Sequence, residues 1–120
     1  MKRKPLIWIA SSKKDLKSFP EEVQKIMGYG LLDAQEGGKH KNAKPLLGFG
    51  GADIIEIVDE DASGTYRTVY TVRFKDMVFV LHAFQKKSKQ GIKTPKLEID
   101  LLKNRLKQAQ EQYNELTKKK

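Results

Sequence analysis

An arginine, a histidine, a phenylalanine and two lysines recur through the stretch Thr65–Lys87, TYRTVYTVRFKDMVFVLHAFQKK, as Arg67, His82, Phe84, Lys86 and Lys87. Together these side-chain types suit RNA phosphate chemistry. RNA is cut without a metal when its own 2′-hydroxyl attacks the neighbouring phosphate. That route needs a group to take the 2′ proton, a group to protonate the departing 5′ oxygen, and cations against the crowded phosphorane charge. His82 can act as acid or base, because imidazole titrates near neutrality. Arg67 offers a planar fork of donors that matches phosphate oxygens. Lys86 and Lys87 add charge, and the better buried of the two acquires a lowered pKa. Phe84 offers a ring on which a base can stack.

These residues belong to two β-rich runs, Thr65–Phe74 and Met77–Gln85, joined by the polar pair Lys75–Asp76. A two-residue connection makes them a hairpin in which Phe74 faces Met77 and Arg67 faces Phe84. Alternation along the strands then places Arg67, Val69, Thr71 and Arg73 on one face with Val78, Val80, His82, Phe84 and Lys86. Tyr66, Thr68, Tyr70, Val72, Phe74, Met77, Phe79, Leu81 and Ala83 fall on the other, which is expected to be the buried one. Any even loop length keeps this assignment and an odd one reverses it. Taken singly, His82 reads as a half-buried structural histidine and Phe84 as core; the shared, exposed face is what points to a site.

The chain has 120 residues and a net charge of +9, enough for one domain spanning residues 1–120 with its own core. With no cysteine there are no disulfides or thiolate metal sites, and two distant histidines, His40 and His82, do not make a zinc site. No metal or other cofactor is expected. No apolar run approaches the roughly 20 residues of a membrane span, and the LIWIA stretch is too short for a signal-peptide core, so a cytoplasmic protein without membrane contact is expected. From Phe84 to Lys120 eleven Lys/Arg oppose four Asp/Glu, whereas Asp53–Asp61 holds five acids and no base. A Lys-rich run alone is commonly a solvated face. Its coincidence with the polar end of the hairpin favours nucleic acid.

Elsewhere, Leu6–Ala10 reads as a buried strand. Ser12 as N-cap opens a short helix through Lys17, and Ser18-Phe19-Pro20-Glu21 opens a second. Val23, Ile26, Met27, Leu31 and Ala34 form its apolar stripe, Gly37-Gly38 ends it, and Gly28 and Gly30 imply close packing on a sheet. Lys39–Gly51 reads as a loop; its G-F-G-G run lacks the Lys-Ser/Thr of a phosphate-binding loop. Asp53–Val58 is the next strand. From Pro95 a long helix carries Ile99, Leu102, Leu106, Ala109, Tyr113 and Leu116 along a narrow seam suited to covering the sheet, before a frayed Lys-rich end. The expected fold is α+β, a small, mostly antiparallel sheet with N-terminal helices and a long C-terminal helix. The helices gather on one side and the other is left open.

The run Y-R-x-V-Y at Tyr66–Tyr70, then V-L-H-A-F-Q-K-K at Val80–Lys87 and T-P at Thr94-Pro95, resembles the HigB branch of the RelE/ParE toxin superfamily, including its phage-derived members. Asp15–Pro20 and Lys44–Gly50 extend the resemblance over nearly the whole chain. It implies the toxin of a type II toxin–antitoxin pair on a RelE/ParE-like fold. The implied activity is endoribonuclease cleavage of mRNA, commonly at the ribosome and its rRNA, with a helix-turn-helix antitoxin as partner. Carried over residue by residue, it makes Arg67, His82, Lys86 and Lys87 catalytic. Phe84, with Arg73, Lys44 and Lys89, would bind RNA. Many relatives read Glu-Leu-Arg on the preceding strand where this chain has Glu56-Ile57-Val58, and Arg73 or Lys44 would have to replace the missing cation. Because ParE relatives poison DNA gyrase, a gyrase inhibitor or a basic nucleic-acid-binding module is the alternative.

Overall fold

The structure, a computed structural model, describes residues 3–46, 48–49, 53–86 and 96–118. Within them lie β1 (Leu6–Trp8), α1 (Ser12–Lys17), α2 (Glu21–Gln35), β2 (Ala43–Pro45), β3 (Ile54–Asp61), β4 (Gly64–Thr71), β5 (Val78–Lys86) and α3 (Lys96–Thr117). The five strands form one sheet in the order β1-β5-β4-β3-β2. Only β1 pairs in parallel, along β5. This is the α+β architecture expected, with one addition. The presumed loop after Lys39 contains β2, an edge strand whose Pro45 needs no ladder donor on its free side.

Helix starts differ by a residue or two from their reading. Ser11, not Ser12, precedes α1, and its hydroxyl donates to the Asp15 carboxylate at 2.7 Å. Ser12 is buried and donates to the Val80 carbonyl. Pro20, not Ser18, occupies the cap position of α2, while Ser18 donates back to the Asp15 carbonyl at the end of α1. A Cβ on Gly30 would come within 2.6 Å of Ile57 Cδ1, so this glycine lets α2 lie close on β3; Gly28 meets nothing and has no such role.

The hairpin register is Arg67 opposite Phe84 and Val69 opposite His82, as the turn predicts, and Met77 N–H donates to the Phe74 carbonyl across Lys75–Asp76. Between Val69 and Tyr70 the pairing then shifts by one, so that Tyr70 faces Val80 and Leu81 is the extra residue of a β-bulge. The bulge reverses the expected faces below it. Val78 and Val80 join Tyr66, Tyr70 and Ala83 in a core with Leu16, Phe19 and the α2 residues Val23, Met27, Leu31 and Ala34. Phe79 and Leu81 turn to the opposite face, where they meet Ile54, Val69 and Phe74.

That second apolar patch is why the sheet has no open side. Leu102 and Ala109 of α3 are wholly buried against it, and Ile99, Leu106 and Tyr113 pack around them. Leu116, the last residue of the expected seam, is exposed. Thus α1 and α2 cover one face and α3 the other.

Candidate functional site

Arg67, His82, Phe84 and Lys86 do share a face, the one covered by α3, because the bulge falls below His82 and leaves the upper register intact. Their expected exposure does not hold. Arg67 is 4% exposed, His82 7% and Lys86 7%, with Phe84 half-buried. The reason lies in two acidic side chains and one basic one that sequence reasoning passed over.

Glu56 stands opposite Val69 on β3, one strand from Arg67, and its carboxylate accepts a hydrogen bond from the Arg67 guanidinium in a buried ion pair. Val58, where the resemblance had suggested a cation, lies directly opposite Arg67. Lys86 is near enough for its ammonium to feel both partners. Burial, then the Arg67 charge, lower its pKa, while Glu56 pulls it upward.

His82 is held by α3. Its Nε2 bonds the Glu98 carboxylate, and its Nδ1 lies 3.2 Å from Arg105 Nη1. A guanidinium can only donate, so Nδ1 is the acceptor and the single imidazole proton sits on Nε2, where Glu98 accepts it. Burial lowers the His82 pKa; Glu98 opposes this, the Arg105 charge reinforces it, and Asp15 opposes it weakly. The Phe84 ring stacks on the imidazole with centroids 4.7 Å apart, as two residues on one strand face permit. Arg105 also donates to the Leu81 carbonyl at 3.0 Å, beside the bulge, and reaches Ser11 Oγ at 3.4 Å.

The other expected RNA-binding residues are not gathered here. Lys44 pairs across β2–β3 with Glu56 on the same face but is exposed, three strands from His82, or roughly 14 Å at ordinary strand spacing. Arg73 lies six residues past Arg67, roughly 20 Å along an extended chain. It is ion-paired with Asp53 at 2.8 Å, which holds that carboxyl below its usual range. With Phe49, Lys103, Asn104, Leu106 and Lys107 it lines a separate groove of about 660 Å³. Lys87, Lys89 and Thr94-Pro95 lie outside the described residues. Among the described residues no cluster of three or more His, Asp or Glu could hold a metal ion, and no helix is long and apolar enough to cross a membrane.

A family model described as phage derived protein Gp49-like (DUF891) matches residues 14–107. The chain belongs to this Gp49-like family. No curated protein matches it by sequence. Among solved structures, the Gp49-like chain is similar to an arginine double mutant of the E. coli toxin RelE in the free state. The TM-score is 0.55 at 20% identity, over 73% of this chain and 88% of that one. The toxin–antitoxin complex RelBE2 from Mycobacterium tuberculosis contains a chain matched at TM-score 0.47 and 17% identity, over 71% of this chain and 100% of that one. The Gp49-like chain thus has a RelE-like fold, with the expected sheet and C-terminal helix.

Glu56, Glu98 and Arg105 are the residues the sequence did not reveal as part of the cluster. Glu98 and Arg105 are seven residues apart, two turns of one helix, and so share a face. The spacing was visible in the sequence, but nothing there said that this face meets His82.

Proposed function

We propose that this chain is the toxin of a type II toxin–antitoxin pair, of the HigB type within the RelE-like fold, and that it cuts mRNA at the ribosome by 2′-hydroxyl attack. The observation that carries the reading is the shared face of Arg67, His82, Phe84 and Lys86 at the polar end of the hairpin, in a chain of net charge +9. Arg67 would stabilise the phosphorane. His82 and a lysine, Lys86 or Lys87, would share proton transfer, the lowered pKa of Lys86 fitting it to that role. Phe84 would stack a base, and Lys44, Arg73 and Lys89 would hold backbone farther out. A helix-turn-helix antitoxin and a cytoplasmic site of action belong to the same proposal.

Primer extension on cellular transcripts after induction tests it. The wild type should give cuts within codons, absent with Arg67→Ala and with His82→Ala, each scored on its folded fraction because Arg67→Ala leaves the Glu56 carboxylate buried without its guanidinium. A second reading is favoured by one observation: Glu56 neutralises Arg67, and both nitrogens of His82 are engaged. A face so compensated suits binding without catalysis, as in a gyrase inhibitor or a basic nucleic-acid-binding module. Intact transcripts with DNA damage, or with no toxicity, would select that reading.

A further inference from the structure

We infer that the N-terminal half of α3 is a latch on His82, and that Glu98 and Arg105 are its two catches. What the latch guards rests on the RNA-cleavage reading; the latch itself rests on geometry. Among the described residues each ring nitrogen has one partner, and both partners come from α3. With Nδ1 accepting from a guanidinium and Nε2 donating to a carboxylate, the imidazole is fixed in one neutral tautomer and has no nitrogen left to exchange a proton with a substrate. Glu98 therefore stands where a phosphate oxygen would accept the same N–H, an internal anion in the place of a substrate anion.

The two catches are held unequally. Arg105 lies between Leu102 and Ala109, both wholly buried, and its guanidinium is also tied to the Leu81 carbonyl and to Ser11. Glu98 lies in the first turn, where Leu97 is 83% exposed and Ile99 is only half-buried. Fraying of that turn withdraws Glu98 without disturbing the seam from Leu102 onward. Opening thus requires no unfolding of the core, and it returns Nε2 to whatever approaches the face of Arg67, Phe84 and Lys86.

Acylation by diethylpyrocarbonate, read site by site by mass spectrometry, tests this directly, because the chain has only two histidines. His40, whose Nδ1 accepts from the Asn42 N–H, is the internal reference. In the wild type His82 should react at least about tenfold more slowly than His40. Arg105→Ala, alone or together with Glu98→Ala, should speed His82 several-fold by freeing the Nδ1 lone pair that attacks the reagent, and leave His40 unchanged, while Gln108→Ala, on the exposed side of α3, should change neither. Nitrogen NMR of the wild-type imidazole is the check that depends on no variant: it should show His82 protonated at Nε2 alone. Reaction of His82 at the His40 rate in the wild type, no acceleration in either Arg105→Ala variant, or a mixture of tautomers would each overturn the latch. If the catch variants free His82 and transcripts still stay intact, the latch stands and the nuclease reading falls.

Discussion

The two faces of the sheet use the same strands and bury different things. Against α1 and α2 the sheet presents Ile55, Ile57, Tyr66, Tyr70, Val78, Val80 and Ala83, and the helices answer with Leu16, Val23, Met27, Leu31 and Ala34. Against α3 only the lower half is apolar; the upper half holds Glu56, Arg67, His82 and Lys86, all nearly sealed from solvent. Burying charge is costly unless it is paired, and buried ion pairs seldom add net stability over an apolar core. But for the buried Tyr70 hydroxyl, the α2 face is what stability alone would select. The α3 face carries paired charges where an apolar surface would serve stability as well, and the proposed function assigns those charges to RNA.

Removing a single partner should separate the faces most sharply. Glu56→Ala leaves the Arg67 charge buried without its carboxylate and should cost about 3–5 kcal/mol in urea unfolding. Met27→Ala, on the α2 face and wholly buried, should cost about 3 kcal/mol by the same measurement through its cavity, and should leave the proposed RNA cleavage by the surviving folded protein unchanged. Should Glu56→Ala prove neutral, the α3 face is not the high-cost surface described here.

The pH dependence sharpens the contrast more gently. Burial first, then Arg105, lower the folded His82 pKa below 6.5, against Glu98 and Asp15. The unfolded chain therefore binds the proton more readily. The stability contributed by neutral His82 is complete above pH 6.5 and is lost as pH falls through the lower folded value. Melting temperatures across that window should decline in the wild type, and the decline should be shallower in His82→Gln.

The smallest effect carries the opposite sign. The Tyr70 hydroxyl, on the α2 face, is buried with no hydrogen-bond partner among the described residues, and burial with the Asp33 charge pushes its pKa up to about 12. Tyr70→Phe should raise stability by up to about 1 kcal/mol in thermal melts, because it removes an uncompensated polar group.

Much of this was legible in the residues. Alternation and the Lys75–Asp76 turn led to the Arg67–Phe84 register, and the step of three and four along Ile99–Tyr113 led to a helix covering the sheet. The bulge was not legible, because Phe79, Val80 and Leu81 are all apolar and either parity yields an acceptable core row. With the bulge hidden, the second apolar patch is hidden too, and the residues alone point to a sheet open on the side that α3 covers. Glu98 and Arg105 look in sequence like a solvated helix surface, and Glu56 like one acid in the run Asp53–Asp61; only the fold sets them against His82 and Arg67. Arg73 shows the converse, for its place on the strand promised a shared site and the end of β4 carried it to another groove.

The central claim, that the α3 face meets RNA, is tested most directly by photocrosslinking the protein to single-stranded RNA carrying 4-thiouridine and locating the joined residues by mass spectrometry. Crosslinks should concentrate at Phe84 and its neighbours on that face, and strengthen in Glu98→Ala. Crosslinks confined to the opposite side, at Trp8, Lys13, Lys17 or Tyr29, would contradict the account.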